Sequence, residues 1–277
     1  MDLQLTDQVA VVVGAASGIG RAIAETFAAE GAHVALLDLS PGVVDLAQQI
    51  AGQHQVKTLG LVSDVTDFTG LTVAAEQIST SLGRVDQLVY AAGLAGKTGG
   101  FPFWNLQPSE WPRLVEVNLI GAVNALHAFV PDLTQGGKGR GDEERSRAVL
   151  FVSSVAGQIG SQTDPPYSAS KAGLINFSQC AAKDLAPYRV RVNALCPGMV
   201  ETPLNMDVWR GQMSNLPESE RVDYATWAAE KIAKVVPLNR WQTPQDIADM
   251  AVFLASERAR NVTGQTINVD GGFVMHW

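Results

Sequence analysis

Polar and apolar positions along this chain switch between two periods. A short run of β-branched and apolar residues, "QVAVVVG", precedes "RAIAETFAAEG", where apolar residues recur every three to four positions. The strand pattern returns in "HVALLDLS", so the chain opens with a βαβ unit. Further strands are predicted at "KTLGLVSD", "DQLVYAAG", "RAVLFVSS", "RVRVNALCPG" and "QTINVDGG", with helix-period segments between nearly all of them. Most of these runs are continuously apolar. Strands of that kind are covered on both faces, which predicts a parallel sheet with crossover helices packed back on each side. No internal repeat or linker-like change of composition divides the 277 residues, so the expectation is one doubly wound α/β domain.

Two segments break the rhythm. Residues 135–147, "QGGKGRGDEERSR", are rich in glycine and charge and read as a surface loop before the strand "AVLFVSS". Residues 199–236 are longer and richer in Trp, Met and polar residues than a tight connection needs, which predicts a lid or binding loop at the strand ends.

Composition narrows the function. The chain is 46% hydrophobic and 17% charged, with a formal net charge of -8, so it lacks the basic footprint that nucleic acid or an anionic membrane requires. A small-molecule partner fits better. The N-terminal "MDLQLTDQVAVVVGAA" has no basic leader and its apolar run is too short to cross a bilayer, so a cytoplasmic protein is expected. Cys180 and Cys196 form no metal-ligand pattern with the four histidines and read as buried small hydrophobes.

Gly14, Gly18 and Gly20 follow the first strand and open the first helix in the spacing G-x-x-x-G-x-G. Glycine lets the backbone turn sharply and approach an anion, while the helix N-terminus favours phosphate. A tight turn alone would also use glycine. In the first βα turn, however, the triplet points to a nucleotide. Asp38 ends the second strand, where a carboxylate accepts from ribose hydroxyls and repels a 2′-phosphate. No Arg or Lys follows it in "LLDLSPGVV", so NAD is expected rather than NADP. Ser40, before Pro41, is the expected cap of the next helix, which leaves Asp38 for the ligand. Asp64 in "VSDVTD" ends the third strand, near where adenine would lie.

In "PPYSASKAG", Tyr167 and Lys171 stand one helical turn apart. That spacing occurs on many ordinary helices. A free phenol has a pKa of roughly 10 and is a poor base at neutral pH, and an ammonium one turn along is expected to favour the phenolate.

The glycine loop, "LVYAAG", "VNLIG", "FVSSVAG", "YSASK", "LCPGMVET" and "VDGG" occur in this order, and over residues 5–272 the chain closely resembles the short-chain dehydrogenase/reductase family. The resemblance implies a Rossmann-type seven-stranded parallel sheet and nicotinamide-dependent oxidation of an alcohol or reduction of a carbonyl. It implies a catalytic set of Asn118, Ser154, Tyr167 and Lys171. In this set Tyr167 exchanges the proton, Ser154 holds the reacting oxygen, Lys171 also binds the nicotinamide ribose, and Asn118 positions its helix and a proton-relaying water. Cofactor contacts are implied for Ser17, Ile19, Val65, Ala92 and Gly93. Pro197, Gly198, Val200 and Thr202 are implied around the nicotinamide, and Thr202 is alternatively a helix cap.

Two departures from the family pattern stand out: Val13 replaces the usual Thr, and Tyr90-Ala91-Ala92-Gly93 replaces Asn-Asn-Ala-Gly. Both put loop stabilisation in question rather than catalysis. Phe101, Phe103 and Trp104 are candidates for an apolar substrate wall or for surface cover. Gln162, Thr163 and Asp164, with Lys97 and Asn205, are polar candidates for a sugar, sugar acid or polyol. A 3-oxoacyl or 3-hydroxyacyl thioester and a cyclic alcohol or steroid are the alternative substrates. A nucleotide sensor without turnover and an epimerase or dehydratase holding NAD are the rival functions. The apolar C-terminus, Phe273, Val274, Met275 and Trp277, is expected at a subunit contact of a homotetramer, the assembly common in the family.

Overall fold

The computed structural model describes residues 2–96, 103–134, 146–160, 164–214 and 216–275. All seven expected strands form, as β1 (Val9–Val13), β2 (His33–Asp38), β3 (Thr58–Val62), β4 (Gln87–Tyr90), β5 (Arg147–Val152), β6 (Val190–Pro197) and β7 (Thr266–Val269). They make one parallel sheet in the order β3-β2-β1-β4-β5-β6-β7. β1, β4, β5 and β6 are buried along their whole length, which accounts for their largely apolar sequence.

Helices cover both faces. On one side lie α1 (Gly18–Ala29), α2 (Val43–His54) and α9 (Pro244–Ala255), whose apolar stripes join one core cluster. Within it Phe27 is fully buried, a burial that contributes about 2–3 kcal/mol. On the other side α3 (Phe68–Leu82), α5 (Gly121–Leu133) and α6 (Pro165–Leu185) form the second cluster. Local capping sets several of the starts. Asp67 accepts from the Gly70 N–H ahead of α3, and Thr243 and Asp246 form a capping box on α9 with Pro244 at its first position. The helical run Pro108–Leu133 is long and apolar enough to cross a bilayer by composition, yet its C-terminal half packs against α3 and β4.

Residues 199–236 are not an extended loop. They carry α7 (Pro203–Ser214) and α8 (Tyr224–Val235), which close on a small core of their own around Met213, Trp227 and Ala228. Trp209, Tyr224, Trp227 and Trp241 form a chain of ring contacts through it. The Trp209 indole donates to the Val222 carbonyl and the Trp227 indole to Gln212, so the buried N–H groups are satisfied.

Several expectations need correction. Ser40 does not cap α2: the helix starts at Val43 after Gly42, and the Ser40 N–H donates to Asp38 instead. Asp64 lies two residues past β3, in an Asx turn with Thr66. Cys180 is exposed on α6, because the side of that helix carrying it turns away from the sheet; Cys196 is buried as expected. Of the expected loop 135–147, Ser146 and Arg147 are buried, and Arg147 begins β5 and donates to the Leu133 carbonyl. Residues 135–145, Lys97, Phe101, Gln162, Thr163 and Trp277 lie outside the described residues.

Candidate active site

The strand order reverses between β1 and β4, and their carboxyl ends sit side by side, with Val13 paired to Tyr90. A crevice opens at such a point because the following loops diverge to opposite faces of the sheet. Here it is a cleft of about 440 Å³. The chain segments that leave β1 to β6 line it, together with one turn of the helix that follows β4.

One end is built by the glycine loop. Gly18 has φ of +55°, a left-handed conformation, and faces the cleft; a Cβ on Gly20 would run into the Gly14 carbonyl, so that close turn requires glycine. Ser17 stands at the N-cap of α1 without making a side-chain cap, which leaves first-turn amides for an anion. Asp38 clamps this loop from β2, accepting from the Ala16 N–H at 2.9 Å and from the Ser40 N–H at 2.9 Å. Each carboxylate oxygen keeps a further lone pair, so the side chain can still accept from a ligand. Asp64 is held ionised by the backbone N–H and hydroxyl of Thr66, which lower its pKa. Beside it the Ser63 hydroxyl is buried and finds no partner among the described residues, an unspent polar group in the wall of the cleft. This donor and acceptor set fits a dinucleotide.

At the other end Ser154, Tyr167 and Lys171 converge on the cleft with Pro197, Gly198, Val200, Thr202 and Asn205. Ser154 leaves β5 with an extended backbone, and its hydroxyl accepts from the Ala156 N–H at 3.1 Å. Lys171 is buried and donates to the Val152 carbonyl at 2.8 Å, while its ammonium lies 5.7 Å from the Tyr167 ring centre. Burial pushes the Tyr167 phenol up to about 12, with a hydrogen bond to Ser154 pulling the other way and Asp164 and Cys196 adding to the rise. Burial also pulls Lys171 down to about 8. The expected depression of the phenol by Lys171 is therefore absent in the chain alone: desolvation is the largest influence on each group, and Lys171 is not among the groups that shift the phenol.

Asn118 is not in the cleft wall. It sits behind it, fully buried in a π-helical turn, Glu116–Ile120, between α4 (Trp111–Val115) and α5. Its carboxamide accepts from the Leu94 N–H at 2.8 Å and donates to the Leu94 carbonyl at 2.9 Å and to Ser170 at 3.0 Å. It thus ties the segment after β4 to α6. π-turns of this kind are concentrated at functional sites.

The remaining cofactor expectations, Ile19, Val65, Ala92 and Gly93, also line the cleft. Asn205 lines it too, but its amide already donates to the Val200 carbonyl at 2.5 Å. Thr202 makes only a weak 3.5 Å contact with that same carbonyl. Asp164 is occupied by backbone N–H groups of Gly96 and Tyr167. Phe103 and Trp104 are 62% and 70% exposed, pack edge to face on each other, and lie outside the cleft lining, so they are surface aromatics. Arg113 and Val117 line the cleft without having been expected there. Their four-residue spacing ahead of Asn118, on one helical face, is the signal that could have found them.

Known proteins resemble this chain in sequence and fold. A family model described as Enoyl-(Acyl carrier protein) reductase matches residues 14–274. The chain is 34% identical to the 3-oxoacyl-[acyl-carrier-protein] reductase of Thermotoga maritima, covering 99% of this chain and 100% of that protein. It is 32% identical to the NAD-dependent glycerol dehydrogenase of Listeria innocua, over 99% and 96% of the two chains. The crystal structure of L-sorbose reductase from Gluconobacter frateurii, complexed with NADPH and L-sorbose, superposes with a TM-score of 0.86 at 28% identity, covering 100% of both chains. With a full-length match in sequence and in fold, the chain belongs to the short-chain dehydrogenase/reductase family and is a nicotinamide-dependent oxidoreductase acting on CH-OH groups.

Proposed function

We propose that the protein is an NAD-dependent dehydrogenase/reductase for a secondary alcohol or its carbonyl on a small hydroxylated substrate, a sugar or polyol. The observation that carries this reading is the cleft itself, which has a glycine loop clamped by Asp38 at one end and Ser154, Tyr167 and Lys171 together at the other.

Gly14, Ser17, Gly18, Ile19 and Gly20 would hold the pyrophosphate, Asp38 the adenosine ribose, and Asp64 and Val65 the adenine. Ala92, Gly93, Pro197, Gly198, Val200 and Thr202 would line the nicotinamide end. When bound, the dinucleotide supplies the hydride acceptor or donor and, in its oxidised form, a positive charge beside the phenol. Tyr167 gives a proton to the carbonyl oxygen in reduction and takes it from the hydroxyl in oxidation. With its pKa pushed up to about 12, the phenol is protonated at neutral pH and ready to donate. Ser154 hydrogen-bonds the same oxygen and stabilises its developing charge. Lys171 would hold the nicotinamide ribose and return a proton towards Tyr167. Asn118 acts from behind by fixing Leu94 against α6.

NAD is favoured because Asp38 presents a carboxylate where a 2′-phosphate would sit, and Leu39 and Ser40 beside it bring no cation. A sugar or polyol is favoured by the likeness to the sorbose reductase and the glycerol dehydrogenase. A 3-oxoacyl thioester is the second reading, because the Thermotoga relative is named for that substrate. The helices α7 and α8 would serve as a lid, since the segment that carries them brings Val200, Thr202 and Asn205 to the cleft. A homotetramer is also proposed. It would cover exposed apolar residues such as Ile120 and Met275, and light scattering that finds a stable monomer at micromolar concentration overturns it.

The test is a panel of polyols, sugars, sugar acids, cyclic alcohols and hydroxyacyl thioesters, followed by the absorbance of reduced nicotinamide with NAD and NADP in parallel. Turnover with NAD and a polyol or sugar is expected. Exclusive turnover of the thioesters, or of NADP, would replace this reading.

A further inference from the structure

The segment Gly93–Gly96 leaves β4 and crosses the first turns of α6 as a strap, pinned at two points. Leu94 is gripped through both its N–H and its carbonyl by Asn118, which also donates to the Ser170 hydroxyl. Ser170 in turn donates to the Tyr167 carbonyl at 2.7 Å. Two residues further along the strap, the Gly96 N–H donates to one oxygen of Asp164 at 2.6 Å. The other oxygen accepts from the Tyr167 N–H at 3.2 Å, as the N-cap of α6. The hydrogen bonds thus close a circuit from Asp164 through the strap, Asn118 and Ser170 back to Tyr167.

A serine, threonine or asparagine caps a helix as well as aspartate does. What a cap of that kind cannot supply is a second, charged oxygen aimed at a different segment. The short contact to Gly96 is of the charge-assisted type, the stronger class of hydrogen bond. The strap is also pressed close: a Cβ on Gly96 would come within 3.0 Å of the same carboxylate.

We propose that Asp164 is a positioning residue for the reaction, latching the strap Gly93–Gly96 to the first turn of α6 and so setting the wall of the cleft at Gly93 and Leu94 and the placement of Tyr167. This rests on the reading of Tyr167 as the proton-exchanging group. The carboxylate also faces that phenol electrostatically. The groups that act on Tyr167 are Asp164 and Ser154, and Cys196 of β6; Lys171 of the same helix stands over the ring. Asp164 raises the cost of the phenolate, so its charge helps to keep the phenol protonated and in place as a donor.

Asp164→Ser keeps the cap on Tyr167 but cannot reach Gly96, and Asp164→Asn keeps the shape but removes the charge and one acceptor. Two measurements need no substrate. Hydrogen exchange of the Leu94–Gly96 amides is expected to accelerate about tenfold or more in Asp164→Ser, the effect of losing a hydrogen bond to a charged group. Titration of tyrosine absorbance, with Tyr167→Phe subtracted, is expected to place the Tyr167 phenolate at lower pH in both variants. Far-UV circular dichroism should stay at the wild-type value in each, which reports an intact fold. Wild-type exchange at the strap in Asp164→Ser, or an unmoved phenol titration in both variants, reduces Asp164 to a helix cap and overturns the proposal. Neither result bears on whether Tyr167 itself is required for turnover, which Tyr167→Phe alone decides.

Discussion

The hydroxyl of Tyr90 lies 2.5 Å from the carbonyl of Val117, the residue before Asn118 in the π-helical turn. Tyr90 is fully buried, and burial together with the charge of Asp64 raises its pKa so far that it remains a neutral donor. It stands where the family pattern has an asparagine, and it ties the end of β4 to the turn that carries Asn118. Tyr90→Phe removes this donor with little change of shape. A loss of about 1–3 kcal/mol in stability is expected, measured by denaturant unfolding, because a buried carbonyl gives up a partner.

Tyr167→Phe should abolish turnover while NAD binding, followed by fluorescence titration, stays nearly unchanged. The ring is retained and only the proton-exchanging oxygen is lost. A variant with near-normal turnover would remove Tyr167 from the mechanism.

Lys171 gives stability a definite pH dependence. Its folded pKa, about 8, is depressed below the ordinary 10.5. Below about pH 8 both folded and unfolded chains hold the proton, and the folded state bears the full cost of the buried charge. Between these two values the unfolded chain binds more protons, so stability rises with pH. Wild type should therefore gain stability relative to Lys171→Met over that window. Tyr167 works in the opposite sense at higher pH: its folded pKa is raised, so its contribution is full below about 10 and is lost as pH climbs towards 12. A wild-type-to-Lys171→Met difference that stays flat across the Lys171 window would contradict the burial of its charge.

Asp38→Asn should narrow the proposed preference for NAD over NADP. The amide oxygen can still accept one of the two N–H groups that Asp38 now serves, so the glycine loop keeps part of its clamp. The charge that repels a 2′-phosphate is gone. A fall of about tenfold or more in the ratio of kcat/KM values is expected, corresponding to one lost charge-assisted contact.

Trp227→Ala should loosen the α7–α8 unit without melting the domain. Trp227 is central to a small core separate from both faces of the sheet, and truncating a buried Trp costs about 3–5 kcal/mol where it packs. Rapid proteolysis within residues 203–235, with a thermal midpoint close to wild type and a raised KM for the alcohol or carbonyl substrate, is the expected outcome. A large fall in the global midpoint would show that this unit folds together with the sheet.

Periodicity and order carried a long way by themselves. Largely apolar runs separated by helix-period segments were sufficient for seven parallel strands in one domain, because both patterns follow from which faces are covered. Loop chemistry marks Gly14, Gly18, Gly20 and Asp38 and spacing marks Tyr167 and Lys171, because both are local; Ser154 is marked only by the family resemblance, and all seven line one cleft. Tertiary structure alone decided what those side chains spend their hydrogen bonds on. Asp164, expected in the substrate pocket, is committed to Gly96 and Tyr167; Asn118 holds Leu94 from outside the cleft; and Lys171 donates to Val152. It also decided the acidities at the site. Burial is a property of everything packed around a group, and here it is the largest influence on both members of a pair that a four-residue spacing reveals.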